Sequence, residues 1–218
     1  MHRYMPPGGS KGSISMDFNE ESPLIAGYIL SNTFSELDLP SPIPARAETL
    51  GDGITGWDDV KAKLAPLTDP QKSAVIGFSM ALVFMGQDSY RSEGAKVLKL
   101  ALDCLDRQGP SNTPIVSPAK PPSKFSETPF PAGLKEVLIE LGGQIANWMV
   151  VEDIPNPYDG IENPMQLFGR LNTQNSDTLG YMRGFTKLVE IHGNQNQKQV
   201  AGMVLSSCRE IMGARQES

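Results

Sequence analysis

Cysteine and histidine are the residues of this chain best suited to nucleophilic or metal chemistry, and both are rare. The 218 residues include two cysteines, Cys104 and Cys208, and two histidines, His2 and His192. A structural zinc site needs four clustered ligands and a catalytic one commonly three, so this scattered set predicts neither a metal nor another cofactor. Both cysteines lie in helical apolar patterns and are predicted to be small core residues. A Cys–His nucleophile pair would require His192 to meet one of them in the fold.

Other patterns that could support catalysis are incomplete. The glycine-rich segment 50–56, LGDGITG, follows no buried strand and leads into no Gly-Lys-Ser/Thr, so it indicates a turn. The acidic pairs Asp58–Asp59 and Glu152–Asp153 are adjacent residues, whose side chains do not face one another as an acid/base couple requires. The sequence therefore favours a protein that is not an enzyme. A small enzyme stays as an alternative, and it predicts a pocket with converging titratable groups.

Charge is the next feature that bears on partners. The 19 Lys and Arg residues against 25 Asp and Glu give a net charge of −6, which argues against a dedicated nucleic-acid binder. Basic residues nevertheless concentrate in the first half of the chain. A solvated helix face is the ordinary explanation, but a shared surface could bind anionic lipid at about 1 kcal/mol per residue. The membrane-facing candidates are Lys61, Lys63, Lys72, Arg91, Lys96 and Lys99.

Apolar residues recur with helical spacing through most of the chain, whereas strand patterns are scarce. This predicts an all-α fold. The predicted helices cover about residues 22–37, 57–64, 70–85, 88–107, 134–148, 164–171, 177–192 and 197–215. The third of them is apolar on all sides from Val75 to Met85, so we expect it to be a central, buried helix. A strand over the same residues is the alternative, but Thr68 or Asp69 as a cap and Pro70 after it favour the helix.

Proline and glycine divide the chain into four parts. Seven prolines between 110 and 131 predict an extended linker. The predicted organisation is two small helical bundles joined by this Pro-rich linker and preceded by a flexible arm. The parts are the arm at residues 1–21, the first bundle at 22–109, the linker at 110–131 and the second bundle at 132–218.

Several segments, in this order, resemble parts of one known family. The stretch 57–84, WDDVKAKLAPLTDPQKSAVIGFSMALVF, and the helix 88–107 with its QGPSN loop resemble the N-terminal helices of orthomyxovirus (influenza-type) matrix proteins. The pair LGYMRGFTKLVEIHG, 179–193, and KQVAGMVLSSCREIMGARQ, 198–216, resembles the closing helices of their second subdomain. The likeness is spread over about residues 22–216.

The resemblance implies a viral matrix protein that is structural and not enzymatic. Such a protein assembles with copies of itself into a layer beneath the envelope, contacts anionic membrane through a basic face and bridges to the ribonucleoprotein. It would lie in the virion at the inner face of the envelope, and in the host cytoplasm, plasma membrane and nucleus.

Three departures from that family limit what carries over. The family has a basic cluster in its middle helix, where this chain reads LKEVLIELGGQ, so direct RNA binding is not expected. The family also has a Cys/His cluster near Cys208 and a further C-terminal helical domain, and this chain shows neither.

His192, at a helix end, is the candidate pH-sensitive residue. A helical adaptor or nucleocapsid-associated protein that binds partners through the linker is the main alternative.

Overall fold

A computed structural model describes residues 24–39, 54, 56–105, 125–149 and 154–216. In this part of the chain the regular secondary structure is eight α-helices, with no strand, which confirms the all-α prediction. The helices are α1 (Leu24–Glu36), α2 (Trp57–Leu64), α3 (Asp69–Met85), α4 (Asp88–Asp103), α5 (Ala132–Trp148), α6 (Pro164–Asn172), α7 (Ser176–His192) and α8 (Gln195–Gln216). The predicted arm at 1–21 and most of the predicted linker at 110–131 lie outside the described residues.

Local signals explain where the helices begin. Thr68 precedes α3, and its backbone N–H donates to the side-chain oxygen of Gln71 at 2.9 Å, while Pro70 occupies the first turn. Asn163 and Asn175 cap α6 and α7 through side-chain oxygens that each accept a backbone N–H three residues further on. These caps satisfy N–H groups that the first turn of a helix leaves without a partner.

α3 and α7 form the most extensive helix contact, and glycines allow their backbones to touch. A Cβ on Gly180 would lie 2.1 Å from the carbonyl oxygen of Pro70, and one on Gly184 would lie 1.8 Å from that of Ala74. A Cβ on Gly77 would likewise come within 2.0 Å of the α7 backbone. Residue numbers rise in the same direction along both helices, so α3 and α7 run parallel.

Buried apolar residues from all eight helices form one cluster. Residues 72–82 of α3 are buried without interruption, which confirms α3 as a central helix. Because α3 and α7 are the central pair, the helices before and after the predicted linker share one core instead of packing as two separate bundles. The predicted boundaries of the four parts stay predictions.

The end of α4 is only partly buried. Val97 and Ala101 are buried, but Leu102 is 36% exposed. Successive residues on a helix are about 100° apart, so a side chain next to Ala101 turns away from the core. Cys104, predicted as a core residue, is only partly buried, whereas Cys208 in α8 is fully buried as predicted.

Candidate functional site

Three of the predicted basic residues are exposed on the packed helices α2 and α4. α2 packs on α4, and the Lys96 ammonium lies 5.3 Å from the centre of the Trp57 ring. Lys61 is one helical turn beyond Trp57, and Lys99 is one turn beyond Lys96, so each shares a face with its neighbour. All three lysines are exposed. We call Lys61, Lys96 and Lys99 the α2–α4 basic surface.

The other predicted basic residues are placed differently. Lys63 on α2 is half-buried, and the Nε of exposed Arg91 donates to the carbonyl of Gly86 at 2.8 Å, at the turn between α3 and α4. Lys72 does not fit a membrane-facing role, because its residue is 7% exposed and its Nζ lies 3.5 Å from an Asp69 carboxylate oxygen. Lys72 is the first of the continuously buried residues 72–82 of α3, so it belongs to the part of this helix that is covered by other helices.

Acidic residues limit the positive charge of α2 and α4 as a whole. α2 carries two acidic and two basic residues, and α4 carries three of each. Two of the acids lie one helical turn from the lysines, because Asp58 comes three residues before Lys61 and Asp103 comes four residues after Lys99. These acids therefore weaken the positive potential of the α2–α4 basic surface.

The third acid of α4, Glu93, has a structural position. Its side-chain Oε2 accepts the backbone N–H groups of Ile25 at 2.7 Å and Ala26 at 3.4 Å, so it caps α1 from another helix. Burial raises the pKa of Glu93, while these hydrogen bonds act against the rise. No local sequence signal marks a cap of this kind, because the helix and its cap are more than sixty residues apart.

A second buried carboxylate, missed by sequence reasoning, ties α1 to α7 and α8. The Glu36 carboxylate is fully buried, with Arg183 Nη2 at 3.2 Å and Arg209 Nε at 3.0 Å from its Oε1. Lys187 Nζ lies 3.8 Å from Oε2. We call these four residues the Glu36 cluster. The hydrogen bond from Arg209 to Glu36 raises the pKa of that guanidinium. A buried charge is stable only with such partners.

A cavity of about 340 Å³ lies at the C-terminal ends of α3 and α7. Its lining residues are Tyr28, Leu82, Met85, Gly86, Gln87, Tyr90, Gln144, Leu188, Val189, Ile191, His192, Gly193 and Gln197. We call this the open end of the α3–α7 pair, and the region of the close-packed glycines the closed end. A hydrogen bond joins Tyr28 Oη and His192 Nε2 across the cavity wall at 2.5 Å.

The environment of this pair keeps both groups neutral near pH 7. Burial, and then the charge of Lys198, lowers the pKa of His192 to about 4. Burial, and then Tyr90, raises the pKa of Tyr28 to about 12. A base this weak and an acid this weak are poorly matched to proton transfer at neutral pH, so the cavity is better suited to binding than to general acid–base catalysis. The folded protein also keeps the imidazole of His192 neutral in mild acid.

An exposed aromatic pair marks another part of the surface. Phe84, near the end of α3, is 38% exposed, and Trp148, at the end of α5, is 40% exposed. Their ring centres are 4.5 Å apart. Tyr181 Oη donates to the backbone carbonyl of Trp148, which holds the end of α5 against α7. Large exposed aromatic side chains of this kind often mark contact sites between proteins.

The described residues hold no group of three or more His, Cys, Asp and Glu side chains close enough to bind a metal ion. Burial raises the pKa of the Cys208 thiol to about 12, so this group stays protonated and is a poor nucleophile at neutral pH. No helix in the described ranges is both long enough and apolar enough to span a bilayer.

Comparisons with known proteins do not assign this chain to a family. No known protein family, no curated protein and no solved structure matches this chain significantly.

Proposed function

We propose that this chain is a structural protein of the viral matrix kind, which associates with copies of itself and binds anionic membrane. The observation that carries this proposal is the α2–α4 basic surface, where Lys61, Lys96 and Lys99 are exposed on two packed helices. Lysines on one surface attract anionic lipid at about 1 kcal/mol each near the membrane. Contact with a ribonucleoprotein is implied by the resemblance alone and stays a prediction.

Self-association is supported by the exposed pair Phe84 and Trp148. Aromatic residues are enriched at the centres of protein interfaces, where burial of a large ring away from water contributes strongly to affinity. When such a pair contacts an unlike surface of the next copy, the contacts propagate and do not close. Repeated contacts of this type build a layer.

A flotation experiment tests the membrane half. Vesicles of phosphatidylcholine with and without phosphatidylserine are mixed with the wild-type chain and with the double variant K61E/K99E. We expect binding only with phosphatidylserine, and about tenfold or greater loss in the variant, because two favourable charges become unfavourable. The control R170E/K198E makes the same change in net charge on α6 and α8 and should retain binding. Equal losses in both variants, or binding that ignores phosphatidylserine, would contradict the proposal.

Sedimentation velocity over a range of protein concentrations tests the assembly half. We expect the wild-type chain to associate as concentration rises and W148A to stay smaller. L102A is the matched control, since Leu102 is also an exposed large apolar residue but lies on α4. If W148A associates as strongly as the wild-type chain, the aromatic pair is not the contact.

A further inference from the structure

The cavity at the open end has the size of a small-molecule site. Ligand pockets in proteins measure about 300–1,000 Å³, are mostly apolar and carry a few polar groups that orient the ligand. The cavity here, at about 340 Å³, falls at the lower end of that range. Several helices contribute to its wall, with Tyr28 from α1, Gln144 from α5 and Gln197 from α8 joining α3, α4 and α7.

The lining indicates what kind of molecule fits. Its apolar part comes from aliphatic side chains of α3 and α7, which are Leu82, Met85, Leu188, Val189 and Ile191. Its polar part comes from neutral groups, which are amides, tyrosine hydroxyls and the imidazole of His192. An ion in this cavity would lose water without gaining an opposite charge from the lining, which is costly. The charge of Lys198 acts on His192 from outside the lining, but Lys198 is exposed, so water screens its charge.

One amide is placed to recognise a polar end. The side-chain oxygen of Gln197 accepts the backbone N–H of Asn194 at 2.8 Å, which fixes that amide at the start of α8. Gln197 also lines the cavity, and its NH₂ group is a donor that this cap does not use. Tyr28 and His192 already hydrogen-bond each other, so they close one side of the cavity as a neutral unit.

We propose that this cavity binds a neutral amphiphile, a molecule with a short aliphatic chain and one uncharged hydrogen-bonding end such as a hydroxyl or an amide. The chain packs against the aliphatic residues of α3 and α7. The polar end accepts a hydrogen bond from Gln197. Such a ligand fills the open end and connects the helices before and after the predicted linker at a place where they otherwise leave space.

The probe for the test is 1-decanol, compared with decanoate, which has the same chain length but an anionic end at pH 7.5. Methionine methyl groups of the full-length chain are labelled with ¹³C and followed by NMR during titration below the solubility limit of the alcohol. We expect saturable shifts at Met85, which lines the cavity, and unchanged signals at Met203 and Met212 of α8. The affinity for decanoate should be at least about tenfold lower than that for decanol, because the lining offers no opposite charge.

A filled cavity provides the matched variant. M85W places a larger ring at the wall, and M203W makes the same substitution on α8, outside the lining. We expect M85W to lose decanol binding and M203W to keep it. If M85W does not fold, the shifts in the wild-type chain decide the question alone.

Three outcomes would overturn the proposal. Absence of saturable binding contradicts it directly, and equal shifts at all methionines indicate nonspecific partition of the alcohol. A Met85 signal that changes with protein concentration in the absence of decanol, in W148A as well as in the wild-type chain, would show that a side chain of a second copy occupies the cavity instead, since association through Trp148 is removed in that variant.

Discussion

The two ends of the α3–α7 pair differ in how closely the helices pack. At the closed end, Gly180 and Gly184 bring the α7 backbone against Pro70 and Ala74 with no room for a Cβ. At the open end, the same two helices leave a cavity of about 340 Å³. Close packing maximises contact but tolerates little change in volume, whereas a cavity tolerates both filling and rearrangement.

α1 repeats this contrast, because it is fastened at both ends by different chemistry. Its C-terminal residue is Glu36, whose buried carboxylate pairs with the cations of the Glu36 cluster at the closed end. Its first turn is capped by the Glu93 side chain, and at the open end Tyr28 makes a neutral hydrogen bond to His192. Charged, buried pairs are costly to break, while a neutral, partly buried hydrogen bond contributes only about 1 kcal/mol. We therefore expect stability to depend on the closed end and adaptability on the open end.

The largest effect is expected from removing the charge of Glu36. E36Q leaves the buried guanidinium of Arg183 without its counter-charge, and loss of one partner of a buried pair costs about 3–5 kcal/mol of unfolding free energy. Chemical denaturation monitored by circular dichroism measures this. The control is E162Q, which disrupts the exposed pair of Glu162 with Lys135 and should cost less than about 1 kcal/mol. Equal costs would mean that burial does not distinguish the two pairs.

The next effect tests the glycine contact itself. G184A places a methyl group 1.8 Å from the Ala74 carbonyl oxygen, so the helices must separate. Overpacking of this kind costs about 1–3 kcal/mol, and the greater helix propensity of alanine offsets only part of it. G202A on α8 meets nothing within 4 Å and should be stabilising by up to about 1 kcal/mol. Thermal unfolding of the two variants should therefore shift in opposite directions, and a G184A variant at least as stable as the wild-type chain would refute the close contact.

The sequence predicted the helices well but not how they pair. Thr68 and Pro70 mark the start of α3, and an all-round apolar pattern correctly predicted its burial, because caps and periodicity are local properties. The contact of Glu36 with Arg183 joins residues 147 positions apart, so no local pattern could reveal it. Lys72 was wrongly predicted on the surface for the same reason, since local periodicity cannot show that a charged residue on a central helix is buried. The cavity is lined by residues of several helices that are distant in sequence, so local patterns did not predict it either.

The pH dependence of stability tests the open end. In the unfolded chain His192 has an ordinary pKa near 6.5, whereas in the folded protein it is lowered to about 4. Between these values the unfolded chain binds a proton that the folded protein does not, so the unfolding free energy falls as pH decreases. The imidazole is partly exposed, which limits the effect to the order of 1–2 kcal/mol. We expect the stability of H192Q, measured from pH 7 to pH 4, to fall less steeply than that of the wild-type chain.

The smallest effect is expected from Y28F, which removes only the hydroxyl that bonds His192. The unfolding free energy should fall by about 1 kcal/mol. The ring keeps its apolar contacts, because it still packs against Phe78 with ring centres 5.9 Å apart. Loss of the hydroxyl should also change the pKa of His192, upward if the hydroxyl donates to Nε2 and downward if the Nε2–H donates to the hydroxyl oxygen, and NMR titration of the ring protons measures this directly. Y90F is the control, because Tyr90 lines the same cavity and the hydrogen bond to His192 comes from Tyr28. If the pKa of His192 moves equally in Y28F and Y90F, then the general polarity of the cavity, and not the Tyr28–His192 bond, controls the open end.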